Sequence, residues 1–504
     1  MSFRGHLRLV PGQPWALADG PDPAALQQLY AAHGPAMLQR LRGGFALALF
    51  DGETLLLARD AFGQKPLFYC EKDSQLWFAS EVQALREEGA PLGHLDRGAL
   101  SDYLELLYVP APASIWTSVR KLPAGHLLRA GPHGVEVRRW FQVPLPGSTD
   151  TRPSRIAVRA GLEEAVRGQP SGATLLLPGD LPSSALLALL TRRQGKVRSF
   201  TADPDPLARR MAERFRSEHT ETSVNALDEV PAALAAPSEP LGDARLPWWS
   251  AVLRAIGGPV VSAAGADELF AGHPRYLRAA RMLHSKRAAG AADLLRSIAP
   301  QRHRGRLQRA ASTLGTRGKG RARALIEVFS LDERSALLGV HARAALGPAG
   351  EADGADAAIA FDLEVALPDG LLAVLQAAAA QAGVELRAPF LEAKLAQTVV
   401  PASSRHKLGR THGSRLLREA VADLLPRDAL TPLPRPPPPA GAWLRGPLRP
   451  MLHDLVASPS ARIRGLLDPR AIDAVLRHAL APRGDARQAW ALFALEVWAR
   501  GQKR

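Results

Sequence analysis

Cysteine and long apolar runs are the most informative shortages in this chain of 504 residues. Cys70 is the only cysteine, which excludes a disulfide framework and a cysteine-based zinc site. No run of about 18 uncharged apolar residues occurs, so we expect no membrane span. The opening stretch MSFRGHLRLVPGQPWALADG lacks the basic-then-apolar order of a signal peptide. We therefore expect a cytoplasmic protein with no membrane contact.

Acidic residues are scarce in one segment. The net charge is +15, and residues 275–323 hold 14 lysines and arginines against a single acidic residue, Asp293. Such a segment could bind nucleic acid or an acidic partner. Arg302, Arg306 and Arg309 would share a helix face, but no aromatic residues are interleaved with them for base stacking. The sequence favours a solvated helical segment with a flexible connector, because charge runs are usually solvated.

Two patterns of secondary structure divide the chain. Residues 1–145 predict an α+β domain with an antiparallel sheet, and residues 144–154 form a linker by composition. Residues 155–504 alternate helices with short apolar strands, which predicts an α/β domain with a doubly wound parallel sheet and many helices. A ligand site should lie at the carboxyl ends of these strands. The expected elements are a helix at 24–42, hairpins at 44–60 and 66–80, a helix near 100–109, strands near 125–130, 135–141, 173–177, 197–202 and 259–264, and a loop at 433–446.

The stretch LLLPGDLPSSALLALL (175–190) has the order strand, tight turn, helix, which is typical of a loop that cradles phosphate. Gly179 would permit the turn, and Ser183 and Ser184 would open the helix. Three other residues of the turn are proline or aspartate, which offer a phosphate no N–H or a repelling charge. They are Pro178, Asp180 and Pro182.

Four segments match one family in order along nearly the whole chain. The second half of that family's glutaminase domain is matched by LRGGFALALFDGETLLLARDAFGQKPLFYC, and its LSGGLDSSAL loop by LLLPGDLPSSAL. VVSAAGADELFAGHPRY matches VVLSGEGADELFGGYPRY. LPDGLLAVLQAAAAQAGVELRAPFLEAKL aligns without a gap to LPDDLLVKVDRASMAHSLEVRVPFLDHEL. The chain thus resembles the glutamine-dependent asparagine synthetases, whose superfamily includes β-lactam synthetases and lasso-peptide cyclases.

The resemblance implies two domains: a truncated glutaminase-like domain at 1–145 and a synthetase-like domain of the ATP-pyrophosphatase type at 155–504. In the family, ATP adenylates a carboxylate and an amine then displaces AMP, with Mg²⁺ neutralising the pyrophosphate. By this resemblance, Gly179, Ser183 and Ser184 are the remnant of the pyrophosphate loop. Asp267 is the candidate magnesium ligand, and Glu385 is the candidate catalytic residue for proton transfer.

Several positions depart from the family pattern. In the loop, Pro178 and Asp180 replace a serine and a glycine, and Pro182 stands where the metal-binding aspartate is expected. Val374 replaces the lysine of the KVDR segment, and Leu433 falls on the catalytic lysine when counted back from Trp443. The glutaminase nucleophile is an N-terminal cysteine, whereas the second residue here is Ser2. We expect no glutaminase activity.

These departures leave three hypotheses open. The favoured one is a non-catalytic scaffold or partner subunit that serves an active paralogue, a peptide or a small-molecule substrate. The second is a divergent but active amide-forming synthetase that uses ATP and Mg²⁺ through Asp180, Asp267 and Glu385. The third is a nucleic-acid-binding protein that acts through residues 275–323.

The surviving residues also have structural interpretations. Cys70 is expected to be a packed core thiol. Glu268 could cap or pair locally, and Arg387 could be a buried ion-pair partner. Ser183 and Ser184 suit a helix N-terminus without any ligand.

Overall fold

The computed structural model describes residues 2–5, 15–19, 22–282, 322–342, 354–431, 439–481 and 485–502. Its first part contains two sheets that are antiparallel apart from one strand pair, which confirms the antiparallel α+β architecture expected there. One sheet has the order β1-β6-β5-β7, and the other has the order β2-β3-β4-β8-β9. Every pairing in them is antiparallel except β1 with β6. Their strands are β1 Ser2–Gly5, β2 Trp15–Asp19, β3 Ala46–Phe50, β4 Leu55–Arg59, β5 Phe68–Lys72, β6 Gln75–Ala79, β7 Val119–Lys121, β8 His126–Gly131 and β9 Gly134–Arg139.

Strand β3 shows why the two sheets and a helix form three layers. Successive strand residues point to opposite faces. Ala46 and Ala48 pack in one apolar cluster with residues of β5 and β6, so this face meets the other sheet. Leu47 and Leu49 pack in a second cluster with Leu26, so that face meets the first helix. The hairpins predicted at 44–60 and 66–80 are confirmed.

The helix predicted at 24–42 is shorter than expected. Helix α1 spans Pro23–His33, and a 3-10 helix continues over Gly34–Arg40. Gly34 has a φ of +54°, a conformation that glycine adopts easily, and Pro35 follows it. The α-helix therefore ends before the apolar pattern does. The other helices of the first part are α2 Val82–Glu87 and α3 Arg97–Leu106.

The second part contains the predicted parallel sheet. Its order is β12-β11-β10-β13-β14, and all four pairings are parallel. Thr174 pairs with Val260, which confirms that residues 173–177 and 259–263 form neighbouring strands. The strands are β10 Thr174–Leu176, β11 Arg198–Ala202, β12 Glu218–Thr222, β13 Val260–Val261 and β14 Leu386–Arg387.

Helices surround this sheet. A π-helix at Asp362–Leu371 joins two of them, and a 3-10 helix lies at Arg462–Gly465. In the described residues, no helix is long and apolar enough to cross a membrane. The α-helices are α4 Arg155–Arg167, α5 Leu181–Gln194, α6 Pro206–Arg214, α7 Ala226–Ala235, α8 Leu246–Ile256, α9 Ala266–Phe270, α10 Pro274–Met282, α11 Leu331–Leu338, α12 Gly354–Phe361, α13 Leu372–Ala382, α14 Ala393–Val399, α15 Ser404–Lys407, α16 Arg415–Ala420, α17 Ala440–Arg445, α18 Arg449–Leu452, α19 Pro469–Ala479 and α20 Ala486–Gly501.

The prediction of a loop at 433–446 is wrong over its second half, because α17 spans Ala440–Arg445. Pro439 is the last proline of the run and takes the N-cap position, so the residues after it are free to be helical. Leu444 is fully buried, and this contact with the core fixes the helix. Residues 432–438, including Leu433, lie outside the described residues.

One end of the basic segment is buried, unlike the solvated surface expected, because Arg323 is 8% exposed; at the other end Arg275 is only partly buried. Arg275 forms an ion pair with Asp362 at 2.5 Å, and Arg323 pairs with Asp102 at 2.9 Å and with Glu105. These two arginines therefore serve the packing of the chain. Residues 283–321, which include Arg302, Arg306 and Arg309, lie outside the described residues.

Candidate functional site

Two loops meet at the carboxyl edge of the parallel sheet. One follows β10 and leads into α5, and the other follows β13 and leads into α9. Because β10 and β13 are adjacent and parallel, their following loops lie side by side. Each loop turns at a glycine with positive φ, Gly179 at +78° and Gly265 at +84°. This is the place where a parallel sheet offers a ligand site.

Asp180 is the N-cap of α5. Its carboxylate accepts a hydrogen bond from the backbone N–H of Ser183 at 2.8 Å, and its carbonyl accepts the N–H of Ser184 at 3.0 Å. Free N–H groups at a helix N-terminus are what bind an external anion. Here the Ser183 N–H is already bound by a carboxylate of the chain itself.

Pro182 and the two serines complete the first turn of α5. Pro182 is buried at the second helical position and has no N–H to donate. Ser183 and Ser184 are fully buried. The Ser183 hydroxyl donates to the carbonyl of Asp180 at 3.3 Å, whereas the Ser184 hydroxyl has no hydrogen-bond partner. Both serines open the helix as predicted.

Asp205 closes the loop from the neighbouring helix, a role that the sequence analysis missed. Its carboxylate caps α6 by accepting the N–H groups of Leu207 and Ala208 at 2.9 and 2.8 Å. A Cβ at Gly179 would lie 2.1 Å from Asp205 Oδ1, so the turn packs directly on this carboxylate. The sequence carries a signal for this N-cap, because Asp205 is followed directly by Pro206 at the first position of α6.

These contacts test whether the loop fits the pyrophosphate that the family resemblance implies. Asp180 and Asp205 place two carboxylates at the turn, and Pro182 supplies neither a donor nor a metal ligand. In the described residues, no group of three or more His, Cys, Asp or Glu side chains could hold a metal ion. The residues present do not fit a pyrophosphate bound at this helix N-terminus.

Asp267 lies near the start of α9, beside a close backbone approach. A Cβ at Gly272 would lie 2.0 Å from Asp267 Oδ1 and 2.8 Å from the hydroxyl oxygen of Ser414. The carbonyl of Asp267 also accepts the N–H of Gly272 at 2.8 Å. The Asp267 carboxylate is therefore packed against the backbone that follows α9, and α9 itself follows the loop that lies beside the loop of Gly179.

Glu268 pairs locally, as one interpretation of the sequence held. Its carboxylate lies 3.5 Å from His273 Nε2. Burial would raise the pKa of Glu268, but the contact with His273 and the charge of Arg275 together hold the pKa below its ordinary value. Burial would lower the pKa of His273, but the contact with Glu268 and the charge of Asp267 together raise it above its ordinary value. The pair is therefore stabilised in its charged form.

Tyr276 and Asp362 are buried and form a group with the partly exposed Arg275 next to this pair. Arg275 donates through Nε and Nη2 to one Asp362 oxygen at 2.9 and 2.5 Å, and the Tyr276 hydroxyl donates to the same oxygen. Asp362 is only 2% exposed. Sequence analysis missed this group because Asp362 lies 87 residues from Arg275.

The remaining candidates lie away from the loop or in the core. Glu385 is exposed and pairs with Arg387 at 2.7 Å. The prediction that Arg387 is an ion-pair partner is confirmed, but its side chain is 37% exposed rather than buried. The carbonyl of Glu385 accepts the N–H of Val260 at the start of β13. Glu385 therefore pairs with the strand before the loop that leads to Asp267. Val374 is buried in the core.

Two candidates belong to the first part of the chain. Cys70 is buried, as predicted, and its thiol donates to the carbonyl of Pro91 at 3.6 Å. Burial raises the pKa of this thiol, which disfavours the nucleophilic thiolate. Ser2 lies in β1 opposite Gln75.

The fold and the two loops agree with a comparison against known families. The asparagine synthase family profile matches residues 157–500, and a glutamine amidotransferase domain profile matches residues 17–141. The first match covers more than half of the chain, so the chain belongs to the asparagine synthase family, which is ATP-dependent.

Individual relatives of this chain are also named as asparagine synthetases. A Mycobacterium tuberculosis protein named as a glutamine-hydrolysing asparagine synthetase is 29% identical over 99% of this chain and 82% of its own length. Glutamine-hydrolysing asparagine synthetase 3 of Bacillus subtilis is 26% identical over 47% of this chain and 44% of its own length. A solved glutamine phosphoribosylpyrophosphate amidotransferase of B. subtilis aligns with a TM-score of 0.18 at 14% identity, covering 53% of this chain and 52% of its own. That score is too low to inform on the fold.

Proposed function

We propose that this protein is a non-catalytic member of the asparagine synthase family that serves an amide-forming system as a scaffold or partner subunit. The observation that carries the proposal is the Asp180 carboxylate, which accepts the Ser183 N–H at 2.8 Å. An internal anion thus takes a donor that the family loop would offer to pyrophosphate.

The charge at the turn supports the same conclusion. The carboxylates of Asp180 and Asp205 both lie at the turn and would oppose an incoming phosphate. Asp267 is the one carboxylate that matches a family metal ligand. A magnesium ion held by so few protein ligands depends on substrate phosphates already in place.

The loss of lysines that would neutralise the pyrophosphate charge further supports the proposal of a non-catalytic protein. Val374 and Leu433 stand where the family has lysines, and Val374 is buried in the apolar core. Each charged contact to a transition state commonly contributes several kcal/mol. Since such groups act on one reaction step, the loss of a single one would slow it by orders of magnitude.

What the chain retains is the packing of the family fold. The GADELF and RAPFLE segments keep fully buried side chains, among them Leu269, Phe270 and Phe390. A chain that keeps its core while losing the groups for chemistry suits a binding role. The partner would be an active paralogue, a peptide or a small-molecule substrate of the same system.

The test is pyrophosphate release from ATP–Mg²⁺ with a panel of carboxylates and amines. The wild-type protein should release no pyrophosphate above the buffer blank, with or without a carboxylate. The triple variant Asp180→Gly, Pro182→Asp and Leu433→Lys has the better chance of gaining activity, whereas Pro182→Asp alone should gain little. Carboxylate-dependent release by the wild type would overturn the proposal in favour of an active synthetase.

A further inference from the structure

A cavity of about 340 Å³ lies between the two parts of the chain. Residues of the first part line one wall and residues 236–241 and 368–381 line the other. This volume is in the range of small-molecule sites. None of its lining residues belongs to the loop around Gly179 or to the segment around Asp267. Part of its wall is the helix that also carries Val374.

The buried charges of the cavity are balanced. Arg59 and Lys121 face Asp369 and Glu239, and all four side chains are at least nine-tenths buried. Lys121 Nζ lies 2.6 Å from Glu239. The three nitrogens of the Arg59 guanidinium each donate to a main-chain carbonyl, at 2.8 to 3.0 Å. Both buried cations are thus already engaged, and Glu81 adds a further carboxylate to the lining. An anionic ligand would meet no free cation, so the cavity disfavours it.

Gln64 supplies the unsatisfied donor. Its side chain is 5% exposed, and its amide nitrogen is buried without a hydrogen-bond partner. A buried polar group without a partner costs about 1–3 kcal/mol of folding free energy. Such a group in a folded protein therefore requires an explanation, and a partner that binds there supplies one. Gln64 packs closely on the chain, because a Cβ at Gly44 would lie 2.8 Å from Gln64 Cβ. The backbone N–H of Gln64 donates to the Asp60 carboxylate at 3.0 Å.

Asp369 supplies the acceptor. One of its carboxylate oxygens accepts the N–H of Ala111 at 2.8 Å. The other lies 3.9 Å from Arg59 Nη1, which is beyond hydrogen-bond distance. The cavity thus offers a fixed amide donor from Gln64 and a carboxylate oxygen from Asp369, beside apolar walls that include Phe68, Val109 and Leu372.

We propose that this cavity binds a neutral small molecule that carries a primary carboxamide on an apolar body. The carboxamide oxygen accepts the hydrogen bond from Gln64 Nε2, and its N–H donates to Asp369. The apolar body packs on the apolar walls. The site needs neither ATP nor the amide-forming reaction, so it stands independently of the function proposed above.

The probe is benzamide, with benzoate as its charged counterpart. We expect benzamide to bind the full-length protein with a dissociation constant of about 1 mM or lower, measured by saturation-transfer NMR titration. Benzoate should bind at least about tenfold more weakly, because no free cation faces it. A crystal soaked with benzamide should show the ligand beside Gln64.

The matched variants are Gln64→Met and Gln381→Met. Both glutamines line the cavity, but the Gln381 amide is already bonded to Ser250 and to the carbonyl of Ala233, each at 3.3 Å. Gln64→Met should weaken benzamide binding about tenfold, and Gln381→Met should leave it within twofold. Circular dichroism and thermal melting check that both variants fold. Absence of benzamide binding at 10 mM, or equal binding to the wild type and Gln64→Met, would overturn the proposal.

Discussion

At the scale of single residues, Asp180 has a structural role as the N-cap of α5, at a position where the family loop is expected to have glycine. The sequence identified it as a charge out of place in a phosphate loop. Its capping role was also readable, because aspartate is a preferred N-cap residue immediately before a helical apolar run. Only the structure shows that its carboxylate takes the Ser183 N–H.

This capping role predicts the effect of substitution. Asp180→Ala removes the acceptor of the Ser183 N–H and should lower the free energy of unfolding by about 1 kcal/mol. Asp180→Asn keeps an acceptor and should cost no more than a few tenths of that. Urea unfolding followed by circular dichroism measures both. An Asp180→Ala variant as stable as the wild type would contradict the assigned role.

Lys407 is a second residue whose surroundings determine a chemical property, in this case its pKa. Its side chain is fully buried, and Nζ donates to the carbonyl of Val400 at 2.8 Å. Burial lowers its pKa from 10.5 to about 7, although the charge of Asp356 opposes the shift. Nothing in the sequence around Lys407 identified this burial, because the contact depends on how α15 packs.

The lowered pKa makes stability depend on pH in a defined direction. Between pH 7 and 10.5 the unfolded chain binds more protons at Lys407 than the folded chain, so the free energy of unfolding rises with pH across this window. The contribution of this one group approaches about 1.4 kcal/mol per pH unit. The variant Lys407→Met lacks this pH-dependent contribution, because methionine does not titrate.

Denaturation curves of the wild type and Lys407→Met from pH 6 to 10 isolate this contribution, because other groups titrate equally in both. The variant should be the more stable of the two at pH 7, and its advantage should shrink as the pH rises. A difference that stays constant across the range would show that Lys407 does not titrate as assigned.

At the scale of elements, strands were predictable and several ends of helices were not. The strands β3, β4, β10 and β13 follow from short apolar runs between turn residues. The end of α1 at His33 depends on Gly34, and α17 was hidden behind a run of prolines. The conformation of the loop before α5 depends on α6, since Asp205 packs on Gly179.

Two glycines test that contact. Gly179 and Gly195 flank α5 with nearly equal φ angles of +78° and +77°. A Cβ at Gly195 would meet nothing within 4 Å, whereas a Cβ at Gly179 would meet Asp205 Oδ1 at 2.1 Å. Gly195→Ala should therefore cost only backbone strain, and Gly179→Ala should cost at least about 1 kcal/mol more. Equal losses in thermal melting would contradict the close packing.

At the scale of the whole molecule, the two parts of the chain are joined by buried charges. Arg323 donates to Glu105 and Asp102, and Arg334 pairs with Glu105 at 2.8 Å. The partners Arg323 and Glu105 lie 218 residues apart. Local sequence carries no signal for such a pair, so the sequence predicted a solvated basic segment where the structure buries its end.

Removal of Arg323 should therefore be costly. Arg323→Met leaves Glu105 and Asp102 without one of their cations and should destabilise the protein by about 3 kcal/mol or more. Arg138→Met is the matched control, because Arg138 pairs with Glu136 on the surface and is 64% exposed. The control should change stability by less than about 1 kcal/mol. Similar melting temperatures for both variants would contradict the buried network.

The central claim is that the loop of Gly179 no longer serves ATP. Calorimetric titration of the full-length wild type with ATP and Mg²⁺ tests it most directly. We expect no saturable binding, with a dissociation constant above about 1 mM, because Asp180 takes the Ser183 N–H and Pro182 offers neither donor nor carboxylate. Micromolar binding of ATP–Mg²⁺ would contradict the claim and favour an active synthetase.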